Sequence, residues 1–248
     1  MSQLQRMIVP ALAFLLVAGC GTKFQRDELD ASEQAQDTRI GMLPINFLEK
    51  PSVDVHKNPV GLLGTAGKIT VLKGKDTKRR KFTRALDALK YSYQQHTTEF
   101  MLARFEAVGL DVKMMDFNRS IDNILEAVPP RRFEKRYPKG DGSFDQLLDV
   151  YVDYVGYSAE SLGADYLPTI HIGVRLVDAE SHAVIYNALI QYHAFDDAEE
   201  GVSAIEPDLD YAFEGFDELM ADTEKAREGL KLAIREVVER LIEEIDLH

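Results

Sequence analysis

From Asp222 to the C-terminus, apolar residues return every three or four positions. Ala226, Leu230, Ile234, Val237, Leu241 and Ile245 thus share one face of a predicted helix, with Glu239 on the other side. A different period governs Thr169–Val177, where Ile170, Ile172, Val174 and Leu176 alternate with other residues, the mark of a half-buried strand. Ala183–His193 returns from it through the turn Asp178–His182. An odd-length loop pairs Leu176 with Val184 and Ile172 with Ala188. It gathers Val184, Tyr186, Ala188, Ile190 and Tyr192 on the face of the even-numbered residues of the first strand, whereas an even loop mixes Asn187 and Gln191 into that face. Asp149–Tyr157, rich in Val and Tyr, is the strand before them.

Upstream, Lys68–Lys73 (KITVLK) predicts a β-branched strand. A long helix over 77–108 follows, its stripe formed by Phe82, Leu86, Leu89, Tyr93 and Phe100, and Gly109 ends it. Leu110–Phe117 reads as a strand, and Ser120 caps a short helix that stops before Pro129-Pro130. Residues 40–48 (IGMLPINFL) dock as a short strand, and 51–66, with two prolines and two glycines, read as loop. The order predicts an α/β domain: a mixed sheet with helices packed mainly on one face.

The N-terminus reads in another way. One positive charge, Arg6, precedes an apolar run from Met7 to Ala18, followed by Gly19 and Cys20. The run is shorter than the roughly 20 residues that span a bilayer, and a charged segment, an apolar core and small residues in that order form a secretory leader. Leu16-Val17-Ala18-Gly19-Cys20 resembles the lipobox of bacterial lipoproteins. That resemblance implies removal of residues 1–19, acylation of Cys20 and a membrane anchor that does not span. Gly21, where an inner-membrane protein of that family carries aspartate, implies the periplasmic side of the outer membrane. Capping by lipid also accounts for a single cysteine in an oxidising compartment. Residues 20–39 read as a tether reaching about 60 Å when extended, and 40–248 as the periplasmic domain.

The net charge of −13 speaks against nucleic acid as a partner. No P-loop, dinucleotide fingerprint or nucleophile elbow occurs, so no cofactor and no catalytic residue is expected. Ser143 and Ser158 stand near glycines without a supporting motif. The six histidines lack metal-ligand spacing. In the favoured register His171 faces Leu189 and His193 faces Leu167, so they do not converge and no metal site is expected.

Two kinds of charged segment are candidate partner-binding sites. Residues 196–222 hold eleven acidic residues and no Lys or Arg, with Tyr211, Phe213 and Phe216 interleaved. Asp208, Asp210 and Glu214 do not fit a calcium loop. They belong either to a solvated insertion pinned by its aromatics or to a docking surface for a basic partner. Basic residues cluster at Lys73–Arg84 and at Arg131, Arg132, Lys135 and Arg136, the latter with Phe133 and Tyr137. Each is a solvated face or a contact for an anionic headgroup, a glycan or an acidic protein. Segregated charge also allows self-association.

The arrangement over 68–246, with RLVDAESHAVIY as strand-turn-strand, resembles the periplasmic α/β domain of curli-secretion-like and synthase-activator envelope lipoproteins. In many such domains the turn reads Val-Asp-x-x-Ser/Thr-Gly. Here His182 takes the glycine place. The expected function is that of a non-catalytic outer-membrane lipoprotein serving as an envelope interaction or assembly module with an envelope protein partner. The alternatives are a glycan- or small-ligand-binding lipoprotein and an envelope hydrolase.

Overall fold

The computed structural model describes residues 38–47, 50–57, 64–119, 133–134, 136–195 and 201–246. The leader, Cys20, nearly all of the tether and the helix expected after Ser120 lie outside them.

The chain forms a mixed eight-stranded sheet whose helices cover one face. Strands β1 (Arg39–Met42), β2 (Asn46–Phe47) and β3 (Ser52–Lys57) follow one another along the same edge of β5 (Gln146–Ser161), all parallel to it. β4 (Asp111–Met114) pairs with β1. On the other side of β5 come β6 (Leu167–Asp178), β7 (Val184–Tyr192) and β8 (Val202–Ile205), the first two antiparallel to their predecessors and β8 parallel to β7. Residues 40–48 therefore do dock as strand. Pro51 and Pro59 bracket a strand, not a loop, because β3 draws its ladder from β5 rather than from local propensity.

The stretch read as the strand KITVLK lies inside helix α1 (Gly64–Ala88). The single long helix is two, α1 and α2 (Tyr93–Ala107). Lys90 breaks them apart: it sits in the left-handed region at φ 53°, with Tyr91 N–H donating to Leu86 O and Lys90 N–H to Asp87 O. Those are the bonds of a helix-ending motif usually built on glycine. Ser92 then caps α2, its side chain accepting from Gln95 N–H. Gly109, at φ 84°, ends α2 with the same pair of bonds, Leu110 N–H to Phe105 O and Gly109 N–H to Glu106 O.

Helix α3 (Phe216–Ala221) leads into α4 (Thr223–Asp246). Asp222 Oδ1 accepts from Lys225 N–H at the start of α4, and the six stripe residues are each at most 1% exposed. They meet Ile170, Ile172, Val174 and Leu176 of β6 and Tyr186, Ala188, Ile190 and Tyr192 of β7 in one core. The shared face is the expected one. The register differs by two residues: Leu176 pairs with Tyr186 and Ile172 with Ile190. A bulge between Leu176 and Val177 supplies one of the two, and the turn supplies the other, since Val177 pairs with Val184 rather than with Ala183. Val184 consequently drops out of the core and is 46% exposed. Glu239 is not a free surface residue either. It forms a two-bond ion pair with Arg104 at 2.7 and 2.8 Å that ties α2 to α4.

The turn after β6 holds together through Asp178, whose Oδ1 accepts from Ser181 N–H and Ser181 Oγ–H at 2.6 Å each. His182 lies at φ 59°, a backbone that favours the glycine found there in the related motif.

Candidate functional site

At the end of the sheet where β5 turns into β6, residues 206–218 fold onto the strand ends. Phe213 and Tyr166 exchange backbone hydrogen bonds at 2.8 and 3.1 Å. Phe213 is 2% exposed and packs edge-on to Tyr157, with ring centroids 5.4 Å apart. Tyr192 OH accepts from Asp208 N–H, and Asp208 Oδ1 accepts from Asp210 N–H, which caps the single 3₁₀ turn Leu209–Tyr211. Two lysines from the helices complete the seat. Lys225 Nζ donates to Ala212 O and lies over the Phe213 ring, and Lys78 Nζ donates to Tyr166 OH close to the Phe216 ring.

The two lysines of α1 and α4 thus bring positive charge beside the acidic segment, but they bind a tyrosine hydroxyl, a carbonyl and aromatic rings rather than its carboxylates. Phe213 faces inward and anchors the segment, while Tyr211 and Phe216 are half-buried. What it presents outward is Asp208, Asp210 and Glu214, all exposed, with Leu209 between the two aspartates at 71% exposure. Leu162, 56% exposed, adds a second apolar side chain from the β5–β6 turn. A rigid turn that holds an exposed leucine between two carboxylates can contact a partner that combines positive charge with an apolar recess.

Of the basic residues singled out from the sequence, Arg131, Arg132 and Lys135 lie outside the described residues. Arg136 is exposed, beside the β6–β7 turn at the opposite end of the sheet from the acidic turn. β6 runs the whole way between them, from Leu167 to Asp178, so about 36 Å at ~3.3 Å per residue separates the two. They are not one site. Phe133 and Tyr137 are structural. The Arg175 guanidinium stacks 4.0 Å above the Phe133 ring, which in turn meets Tyr151 edge-on. Tyr137 OH donates to Asp149, and burial first, then the Asp149 charge, pushes the Tyr137 hydroxyl pKa up. Asp149 is fully buried and also takes Arg119 Nη2 at 2.7 Å and Glu134 N–H at 2.7 Å. This ionic knot lies on the sheet face away from the helices. An aspartate inside an otherwise apolar strand sequence, L-L-D-V-Y-V, was its one sequence signal.

The histidines do converge in part. His56 stacks on Phe195 at 4.0 Å, and His193 and His171 lie edge-on to the same ring at 5.2 and 5.9 Å. The two-residue register difference is what brings this about: His171 pairs with Gln191, and His193 comes beside Thr169. Among the described residues no group of three His, Cys, Asp or Glu is placed to hold a metal ion.

Ser158 Oγ and His193 Nδ1 both reach Thr169 Oγ1, at 2.6 and 2.8 Å, and Thr169 donates to Leu167 O. With its one proton so placed, Thr169 accepts from both neighbours, and Ser158 spends its hydroxyl proton on Thr169 rather than on the imidazole. Ser158 is 1% exposed and 3.5 Å from His193 Nδ1. Burial, partly offset by Glu160, lowers the His193 pKa to about 4.

No family model and no curated protein matches the chain. Among solved structures it is similar to the PelC dodecamer from Paraburkholderia phytofirmans (10% identity, 89% of this chain and 94% of that one, TM-score 0.37). It is also similar to protein XCC0632 from Xanthomonas campestris (10% identity, 88% and 90%, TM-score 0.39). A third is the lipoprotein GNA1162 from Neisseria meningitidis (13% identity, 62% and 81%, TM-score 0.30). Scores of this size assign the chain no function.

Proposed function

We propose that this protein is a lipid-anchored envelope protein on the periplasmic side of the outer membrane. It acts without catalysis, as an interaction or assembly module that docks a basic protein partner at its acidic end. The observation that carries the docking is the turn Asp208–Asp210, fixed by Tyr192 and Phe213 yet presenting Leu209 at 71% exposure between two exposed carboxylates. Anchoring rests on the lipobox ending at Cys20, which leaves eighteen residues between the acylated cysteine and the start of β1 at Arg39. Among the described residues no helix is long and apolar enough to cross a membrane, so nothing in them competes with the lipid as anchor. The Ser158–Thr169–His193 chain supports a non-catalytic reading, since its hydroxyl is buried and its imidazole is already committed.

The test has two arms. Cys20→Ser abolishes uptake of labelled palmitate, and equal labelling of variant and parent refutes the anchor. Changing Asp208, Asp210 and Glu214 to their amides weakens capture of the partner, as does added salt, because attraction between exposed charges fades beyond about 8 Å at physiological ionic strength. Calcium or zinc leaves the melting temperature unchanged. A saturable, chelator-reversible stabilisation lost in the triple variant makes the segment a metal site instead.

A further inference from the structure

Helix α1 carries a second charged surface with the opposite sign. Phe82 and Leu86 turn one side of the helix into the core. At 100° per residue, Arg80 and Arg84 project from the opposite side, four residues apart, with Lys81 beside them. All three are exposed, and among the described residues none makes an ion pair or hydrogen bond. Three other basic residues of the helix are engaged: Lys75 with Asp54 at 3.2 Å, Lys78 with Tyr166, and Arg79 with Asp76 at 2.8 Å. Asp76, Thr77, Arg79 and Arg80 line an open recess of about 390 Å³ on this ridge. Asp87 is the exposed carboxylate at its C-terminal end.

Like charges at i and i+4 destabilise a helix, and in a chain of net charge −13 nothing in overall solubility calls for a positive ridge. We propose that the outward face of α1 lies against the anionic headgroups of the bilayer to which Cys20 anchors the protein. The inference rests on the lipoprotein reading for its choice of partner. A tether of at most about 60 Å confines the domain near the bilayer and raises the effective concentration of lipid phosphates at the ridge, so weak attraction suffices to orient the domain. Each Lys or Arg near an anionic surface adds attraction that salt removes.

The single-cysteine composition supplies the probe. Ala88→Cys, one turn beyond Arg84 on the same exposed line, gives the lipidated full-length chain a unique site for a fluorophore. The protein is reconstituted into vesicles of phosphatidylcholine alone or mixed with phosphatidylglycerol, each with a headgroup-borne quencher. Retention on the vesicles after a high-salt wash reports the acyl anchor, and quenching reports the ridge. Quenching is expected with phosphatidylglycerol, not with phosphatidylcholine, and is lost at high salt. In Arg80→Gln/Arg84→Gln, with an unchanged circular dichroism spectrum, the docked-to-undocked ratio falls about thirtyfold. Equal quenching in both vesicles, or quenching that survives the double variant, overturns the proposal. Retention without quenching overturns it and leaves the anchor standing. Quenching at low salt followed by loss on the wash supports the ridge and removes the anchor.

Discussion

Arg119 Nη2 meets Asp149 Oδ1 at 2.7 Å on the sheet face opposite the helices, where Asp149 is fully buried. The aspartate's second oxygen is held by Glu134 N–H and Tyr137 OH, so the charge is satisfied on both sides. Breaking a buried pair by removing one partner typically costs about 3–5 kcal/mol. Arg119→Ala and Asp149→Ala are each expected to lower stability by that order in urea melts, and the double variant by less than the sum. Additive losses would mean the two residues do not act as a pair.

Lys90 holds a left-handed conformation at a helix end where glycine has no steric penalty. Lys90→Gly is expected to stabilise by up to about 1 kcal/mol, offset in part by glycine's greater freedom in the unfolded chain, and Lys90→Val to destabilise. Thermal melts of the two variants, moving in opposite directions, check this.

The pairing of α4 with the sheet was legible because its stripe repeats over six residues with no interruption. The α1–α2 break was not. A lysine occupies the place of the expected glycine, and only the Ser92-x-x-Gln95 capping pair marked the restart. KITVLK was misread because its β-branched residues outweigh a weak local preference, whereas helix identity here follows from the longer context. Which residues share the β6–β7 face came through from Tyr186 onward, where parity sets it, but not at Val184, which lies beyond the bulge. The histidine group around Phe195 did not, because it depends on a bulge and on β3 running beside β5, neither of which has a local signature. Asp208, Asp210 and Glu214 were legible as a charged segment, and the burial of Phe213 agrees with the reading of an insertion pinned by its aromatics, but its seat against Tyr157 and Tyr166 was not legible.

The core assignment of α4 gives a graded expectation. Ile234→Ala and Leu241→Ala each remove a fully buried side chain and should cost about 2–5 kcal/mol. Glu239→Ala breaks the partly exposed pair with Arg104 and should cost about 1 kcal/mol or less. Three equal shifts in melting temperature would contradict the helix face.

His193 gives a pH dependence of known sign. Its folded pKa, near 4, lies below the ordinary histidine value of 6.5 because burial disfavours the imidazolium. The neutral ring therefore contributes its full stability above pH 6.5, and that contribution is lost as pH falls from 6.5 towards 4. Glu160 opposes the shift, and His171 and His56 share the same neighbour, Phe195. His193→Gln should flatten the stability profile over that window while lowering it at pH 7. An unchanged slope in chemical-denaturation curves across those pH values would assign the titration elsewhere.

The docking turn is tested most directly by placing a photo-crosslinking residue at Leu209 in the living cell, with Val184, exposed at the other end of the sheet, as the matched position. A discrete adduct with one envelope protein at Leu209, absent at Val184 and lost when Asp208 and Asp210 are changed to asparagine, is the predicted result. Equal adducts at both positions, or an adduct at Leu209 that survives loss of both carboxylates, would contradict docking through the acidic turn.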